Sequence, residues 1–248
     1  MRLIQLALMA LVSLTAMLVP VHACSLALVV AMDGSSSVDD REHRQQLQGL
    51  AHALRDAEVV DAIQAVGGIW FSSFEWSGRH KQQVQVGWRF LNSAGDADAA
   101  ADQLSNARRG FTEFPTALGY ALGYASVHLR KVPQECLRLV IDVAGDGINN
   151  EGFGPRMAYD AFDFTGITVN ALAIAGADPD PIAYYQQEVV RGAGAFVEVA
   201  NGFDDYTRAM KRKLLREILF SLSAEGPHPP QVTVARADIL LPSSGKNP

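Results

Sequence analysis

Seven consecutive apolar residues, Leu26-Ala-Leu-Val-Val-Ala-Met32, stop abruptly at Asp33-Gly-Ser-Ser-Ser37. An apolar run of that length without alternation is a strand buried on both faces, and so the centre of a sheet covered by helices on each side. Polar residues concentrated just past such a strand lie at its carboxyl end, where open α/β sheets bind ligands.

The rest of the chain alternates accordingly. A helix is expected from about Asp39, with Leu47, Leu50, Ala51 and Leu54 on one face. Residues 66–74 read as a second strand, and 83–88 as a half-exposed edge strand alternating Gln and Val. An alanine-rich helix over 94–107 ends at Arg108-Arg109-Gly110. After a loop, a helix over 116–129 carries small residues at 117, 119, 121, 123 and 125. A fourth strand over 137–143 runs into Gly145-Asp146-Gly147. Then follow a short helix near 155–164, a strand over 167–174, a helix over 181–191, a short strand over 195–199 and an amphipathic helix over 203–222. This order predicts a doubly wound, mostly parallel sheet flanked by helices, with strand order 3-2-1-4-5-6 and strand 3 antiparallel at the edge.

The termini set the domain limits. Met1-Arg2, an apolar run from Leu3 to Val19 and Pro20-Val-His-Ala23 have the layout of a secretory signal peptide, cleaved after residue 23. Residues 24–222 then form one domain, and 223–248 a Pro- and Ser-containing tail in which Ile239-Leu-Leu241 is a candidate docking segment. No second hydrophobic span follows residue 23. The expected location is the bacterial envelope, periplasmic or extracellular. The formal charge of −6 argues against nucleic acid as the main partner.

Cys24 and Cys136 are the only cysteines. Cys24 directly follows the cleavage site, as in lipid-anchored bacterial proteins, although Val-His-Ala fits a lipid-attachment signal poorly. The alternative is a disulfide. Cys24 lies nine residues before Asp33 and Cys136 ten before Asp146, so parallel neighbouring strands would bring the two together.

Three polar clusters fall at strand ends or beside them: Asp33, Ser35 and Ser37; Thr112; and Asp146. Two carboxylates and three hydroxyls suit a hard divalent cation, which takes about six oxygens, some from water. Mg²⁺ fits best, with Mn²⁺ or Ca²⁺ as alternatives. A cation held mostly by neutral hydroxyls stays electrophilic and can accept a further carboxylate.

These residues resemble the metal-ion-dependent adhesion site of von Willebrand factor type A (vWA) domains: an Asp-x-Ser-x-Ser motif, a threonine before a small-residue helix, and an aspartate after the fourth strand. The likeness spans residues 26–222 in element order. It implies metal ligation by Asp33, Ser35, Ser37, Thr112 and Asp146, and docking of a protein partner through an acidic side chain. Two positions depart from the family pattern. Gly110-Phe-Thr-Glu-Phe-Pro115 replaces a segment of small residues, and Gly145 stands where the family has a threonine before the aspartate. Leu139-Val-Ile-Asp-Val-Ala-Gly-Asp-Gly147 also resembles an uncharacterised secreted bacterial branch of the family.

Competing functions are weaker. A metal-assisted phosphoesterase would want Asp-x-Asp, and here the first motif is Asp33-Gly-Ser35. No Gly-x-Ser-x-Gly elbow, dinucleotide fingerprint or phosphate loop follows the first strand. A structural domain with a degenerate site is the third option. Among other polar residues, Asp142 falls inside a buried strand and must be paired or protonated, whether it supports the metal site or only the fold. Asp39 and Asp40 suit a helix N-terminus. The histidines, including His43 and His128, read as surface residues. Trp70, Trp76 and Trp88 read as packing around the edge hairpin.

Overall fold

The computed structural model describes residues 24–224; the signal segment and the docking segment of the tail lie outside them. One six-stranded sheet runs in the order β3-β2-β1-β4-β5-β6. Its strands are β1 (Cys24–Asp33), β2 (Ile69–Trp76), β3 (Gln82–Leu91), β4 (Cys136–Gly145), β5 (Ile167–Ile174) and β6 (Val197–Ala200). All neighbours are parallel except β2 and β3. The sequence expectation for fold and strand order is met.

The apolar run of β1 is divided by its period of two. Leu26, Leu28, Val30 and Met32 enter one core with α1 (Asp40–Arg55), α2 (Ala57–Ala65), α3 (Ala94–Ser105) and α7 (Tyr206–Ala224). Ala27, Val29 and Ala31 enter the other, with α4 (Leu118–Leu129) and α5 (Pro155–Ala161). Both sets are buried, each large aliphatic side chain contributing about 1.5–3 kcal/mol of transfer free energy. The small residues of α4 allow close approach, chiefly to the next connection. A Cβ on Gly119 would stand 2.1 Å from the Phe153 carbonyl oxygen, and one on Gly123 would stand 2.5 Å from the Phe162 ring.

Helix α1 starts where the first motif ends. Asp39 is its N-cap and accepts from the Arg41 and Glu42 amides, while Glu42 accepts from the Asp39 amide. This is a capping box that satisfies otherwise free donors. Asp56 then caps α2, a helix the periodicity reading did not separate. The segment expected as one helix over 181–191 is instead α6 (Pro181–Tyr184) followed by a π-helical turn, Tyr185–Val189.

Strand order reverses between β1 and β4, and the connections leaving these strands diverge to opposite faces of the sheet. At the other end of the same pair, Cys24 and Cys136 are register partners and form a disulfide, with Cα atoms 4.3 Å apart. In that state neither sulfur is available for acylation. Among the described residues no helix is long and apolar enough to cross a membrane.

Candidate metal centre

At the reversal point the loop after β1 folds over the end of β4. Asp33 is fully buried, and its Oδ1 accepts from the Ser35 amide at 2.8 Å. Ser35 Oγ lies 3.1 Å from Ser37 Oγ, and Ser37 Oγ donates to Asp146 Oδ1 at 2.8 Å. Four of the five expected residues are therefore contiguous.

Thr112 is not among them. It is exposed in the loop, and the hydroxyl that joins the cluster is that of Thr116, donating to Ser35 Oγ at 3.4 Å. The loop path explains why Thr116 rather than Thr112 lies beside Ser35. Ser36 donates its amide to the Phe114 carbonyl, which also accepts from Ser77 Oγ, so the chain crosses the first motif two residues before Thr116. Thr116 is held from the far side by Asn150, whose Oδ1 accepts the Thr116 amide at 2.8 Å. Asn149 does the same for Gly119 at 3.2 Å. The rim asparagines thus serve donors at the start of α4, where Ala117 offers no side-chain cap. The bulky residues pack aside: Phe111 meets Phe114 edge-on, and Lys81 Nζ lies 4.4 Å from the Phe114 ring centre.

Two further groups fix the loops, and the sequence reading passed over both. Arg109 donates to the carbonyl oxygens of Gly34, Ser35 and Val38 and to Asp40 Oδ1, clamping the first motif. Glu75, at the end of β2, is buried and accepts from the amides of Gly110 and Phe111 and from Gln85. His43 Nε2 lies 3.0 Å from Glu75 Oε2, so His43 is a buried partner rather than a surface residue. Its place on the 43-47-50-54 stripe of α1 was the available signal. His128 is likewise partly enclosed, bonded to Ser72 and stacked on Trp88 and Tyr124, and burial lowers its pKa. Trp76 is fully buried.

Asp142 faces away from the centre. Its Oδ1 lies 2.8 Å from Lys213 Nζ on α7, which also lies 2.6 Å from Glu217 Oε1. This arrangement favours the structural reading of Asp142.

Electrostatics mark the cluster as a candidate cation site. Burial, followed by the charge of Asp146, pushes the Asp33 carboxyl up to about 7. Burial raises Asp146 as well. Asp33 Oδ2 is enclosed without a hydrogen-bond partner. Two desolvated carboxylates with no cation between them are costly, and a divalent ion relieves both. Among the described residues no three His, Cys, Asp or Glu side chains gather for a metal; the donors here are mixed, with hydroxyls from Ser35, Ser37 and Thr116. The set fits a hard cation completed by water. Ser37 and Asp146 also form a wall of an open cleft of about 410 Å³, lined further by Arg41, Ala175, Gly202 and Asp204.

Residues 23–221 match the family described as "Protein of unknown function (DUF1194)". The chain belongs to that family. Its solved structural neighbours include a von Willebrand factor type A protein, and the DUF1194 chain has a vWA-like fold. A von Willebrand factor type A protein from Catenulispora acidiphila superposes with a TM-score of 0.58 at 14% identity, over 79% of this chain and 43% of that one. Proximal thread matrix protein 1 from the mussel byssus, solved with a zinc-occupied MIDAS motif, gives 0.55 at 19% identity, over 79% and 46%. The PilB minor pilin from Streptococcus sanguinis gives 0.60 at 14% identity, over 83% and 64%. The chain spans about half the length of the mussel structures it matches. Comparison with curated proteins returns no match.

Proposed function

We propose that this DUF1194 protein is an exported binding module. It docks a protein partner through an acidic side chain that completes the coordination of a divalent cation. Asp33, Ser35, Ser37 and Asp146 would hold the ion, with Thr116 taking the role expected of Thr112. Mg²⁺ suits the oxygen set, and Mn²⁺ or Ca²⁺ are the competitors. Zinc in the adhesion motif of the mussel protein supports a divalent ion in this fold. Neighbours that are pilins and pilus adhesins support a role in protein contacts outside the cytoplasm.

The observation that carries this reading is the Asp33 carboxylate, buried with an unsatisfied Oδ2 beside Asp146 and three hydroxyls. When bound, the cation supplies Lewis acidity toward a carboxylate. The chain's own groups orient the donors and leave the Ser37–Asp146 wall open to the cleft. Export rests on the leader-like first 23 residues, and a free rather than lipid-tethered product on the engagement of Cys24 with Cys136.

Calorimetric titration with MgCl₂, MnCl₂ and CaCl₂ tests the site. Saturable binding in the wild type that is lost in Asp33→Ala and Asp146→Ala, with fold retained, is the expected result. Unchanged affinity in both variants refutes it. Capture from envelope extract with and without chelator then tests for a metal-dependent protein partner.

A further inference from the structure

Gly145, the last residue of β4, separates two buried oxygens that lack hydrogen-bond partners. Asp33 Oδ2 is one, and the Tyr185 hydroxyl is the other. A Cβ built on Gly145 would stand 2.8 Å from Asp33 Oδ2 and 2.5 Å from the Tyr185 oxygen. These distances cap the separation of the two oxygens at about 5 Å, within the span of one bridging water. The oxygens therefore share the space that any side chain at position 145 would fill.

Tyr185 is built into this position. It is fully buried and opens the π-helical turn after α6, a local distortion that often marks functional positions. A phenol carries one O–H donor, and the nearby acceptor is a carboxylate. Two orphaned buried polar atoms bordering one small space are costly unless something joins them.

We propose that Tyr185 is a positioning residue for the metal centre: its O–H donates to Asp33 Oδ2, directly or through one water, and fixes the carboxylate for the cation. The Ser35 amide holds Oδ1 at 2.8 Å, so the phenol secures the other end and each oxygen keeps a lone pair for the ion or its water. Gly145 is glycine because this hydroxyl occupies the space of its side chain. The proposal rests on the docking reading above and assigns a residue from outside the three loop segments to that site.

Tyr185→Phe removes only the hydroxyl. The expected result is a ten- to hundredfold weaker Mg²⁺ affinity by calorimetry, the usual effect of losing an outer-shell partner. The metal-free thermal midpoint should fall as well, because Asp33 Oδ2 loses its donor and is left buried and unsatisfied. A tyrosine needed only for packing would leave both the midpoint and the affinity unaltered, because phenylalanine keeps the ring. Gly145→Ala supplies a metal-independent arm: it should lower the midpoint in the wild type and lower it less in the Tyr185→Phe background. Mg²⁺ binding in Tyr185→Phe within twofold of a binding-competent wild type overturns the Tyr185 assignment alone. A wild type that binds no Mg²⁺ overturns the docking reading, and the assignment falls with it.

Discussion

The Arg109 guanidinium is bonded to the Val38 carbonyl oxygen at 2.6 Å, joining two loops that lie 71 residues apart in the chain. The same nitrogen reaches the carbonyls of Gly34 and Ser35, Nη1 reaches Asp40 and Nε reaches Phe111. A planar fork with five donors can serve these acceptors together, whereas an ammonium cannot. Arg109→Lys should therefore leave carbonyls of the first motif unsatisfied and cost about 1–3 kcal/mol in urea unfolding. Faster amide exchange at residues 34–38, with the sheet unaffected, is the local signature. Wild-type stability and exchange in this variant would show that the clamp is dispensable.

Thr116 and Thr112 provide a second contrast. Thr116 reaches Ser35 Oγ, while Thr112 is exposed. Thr116→Val should weaken Mg²⁺ binding by about tenfold or more, and Thr112→Val should leave it unchanged within error. Calorimetry on the pair decides between them. The opposite ranking would mean that the loop rearranges to bring Thr112 inward when metal binds.

The difference between these threonines shows where sequence reasoning stopped. β1 and β4 were legible because a doubly buried strand has few alternatives, and Asp33, Ser35, Ser37 and Asp146 were legible because they follow those strands directly. The choice between two hydroxyls four residues apart depends on the path of the loop. That path is set by Glu75, Arg109 and Asn150, each remote in sequence from Thr116 or unremarkable in its local pattern. Tyr185 was hidden for the same reason, since a tyrosine in a helical segment announces packing and nothing about the oxygen it faces. His43 was legible in principle, because it continues the apolar stripe of α1.

Cys24 and Cys136 close a loop with a sequence separation of 112 across neighbouring strands. A cross-link over a loop of that length restricts the unfolded chain, and its loss typically costs about 2–5 kcal/mol. Cys136→Ser, or full reduction of the wild type, should lower unfolding stability by that order. A mass spectrum of the exported protein provides an independent check. A loss of two hydrogens relative to the reduced chain is expected, whereas an acyl mass on Cys24 would rule the bridge out for that molecule.

Asp142 gives the stability of the protein a pH dependence whose sign is fixed by its surroundings. Lys213 is enclosed between the carboxylates of Asp142 and Glu217, and Asn170 Nδ2 also donates to Glu217. Lys213 thus lies between two acids, and the Arg138 charge also acts on Glu217. Burial is the largest influence on Asp142 and opposes its ionisation; Lys213 favours the charge and Glu217 opposes it, leaving the carboxyl at about 7 against 3.8 in an unstructured chain. Below pH 4 both states hold the proton and the contribution to stability is fully present. Between about 4 and 7 the unfolded chain has released a proton that the folded protein retains. Stability attributable to Asp142 should then fall with rising pH, by up to about 1.4 kcal/mol per unit, and level off above 7. Asp142→Asn fixes the neutral form and should remove this share of the slope, making the variant more stable than wild type at pH 8 and similar to it at pH 4. Asp33 shifts in the same direction but is present in both proteins, so the difference between two metal-free urea series isolates Asp142. Parallel curves would mean that Lys213 keeps Asp142 ionised throughout. In that case Asp142→Asn should instead lower stability at every pH, because it removes half of the charge that balances a buried ammonium.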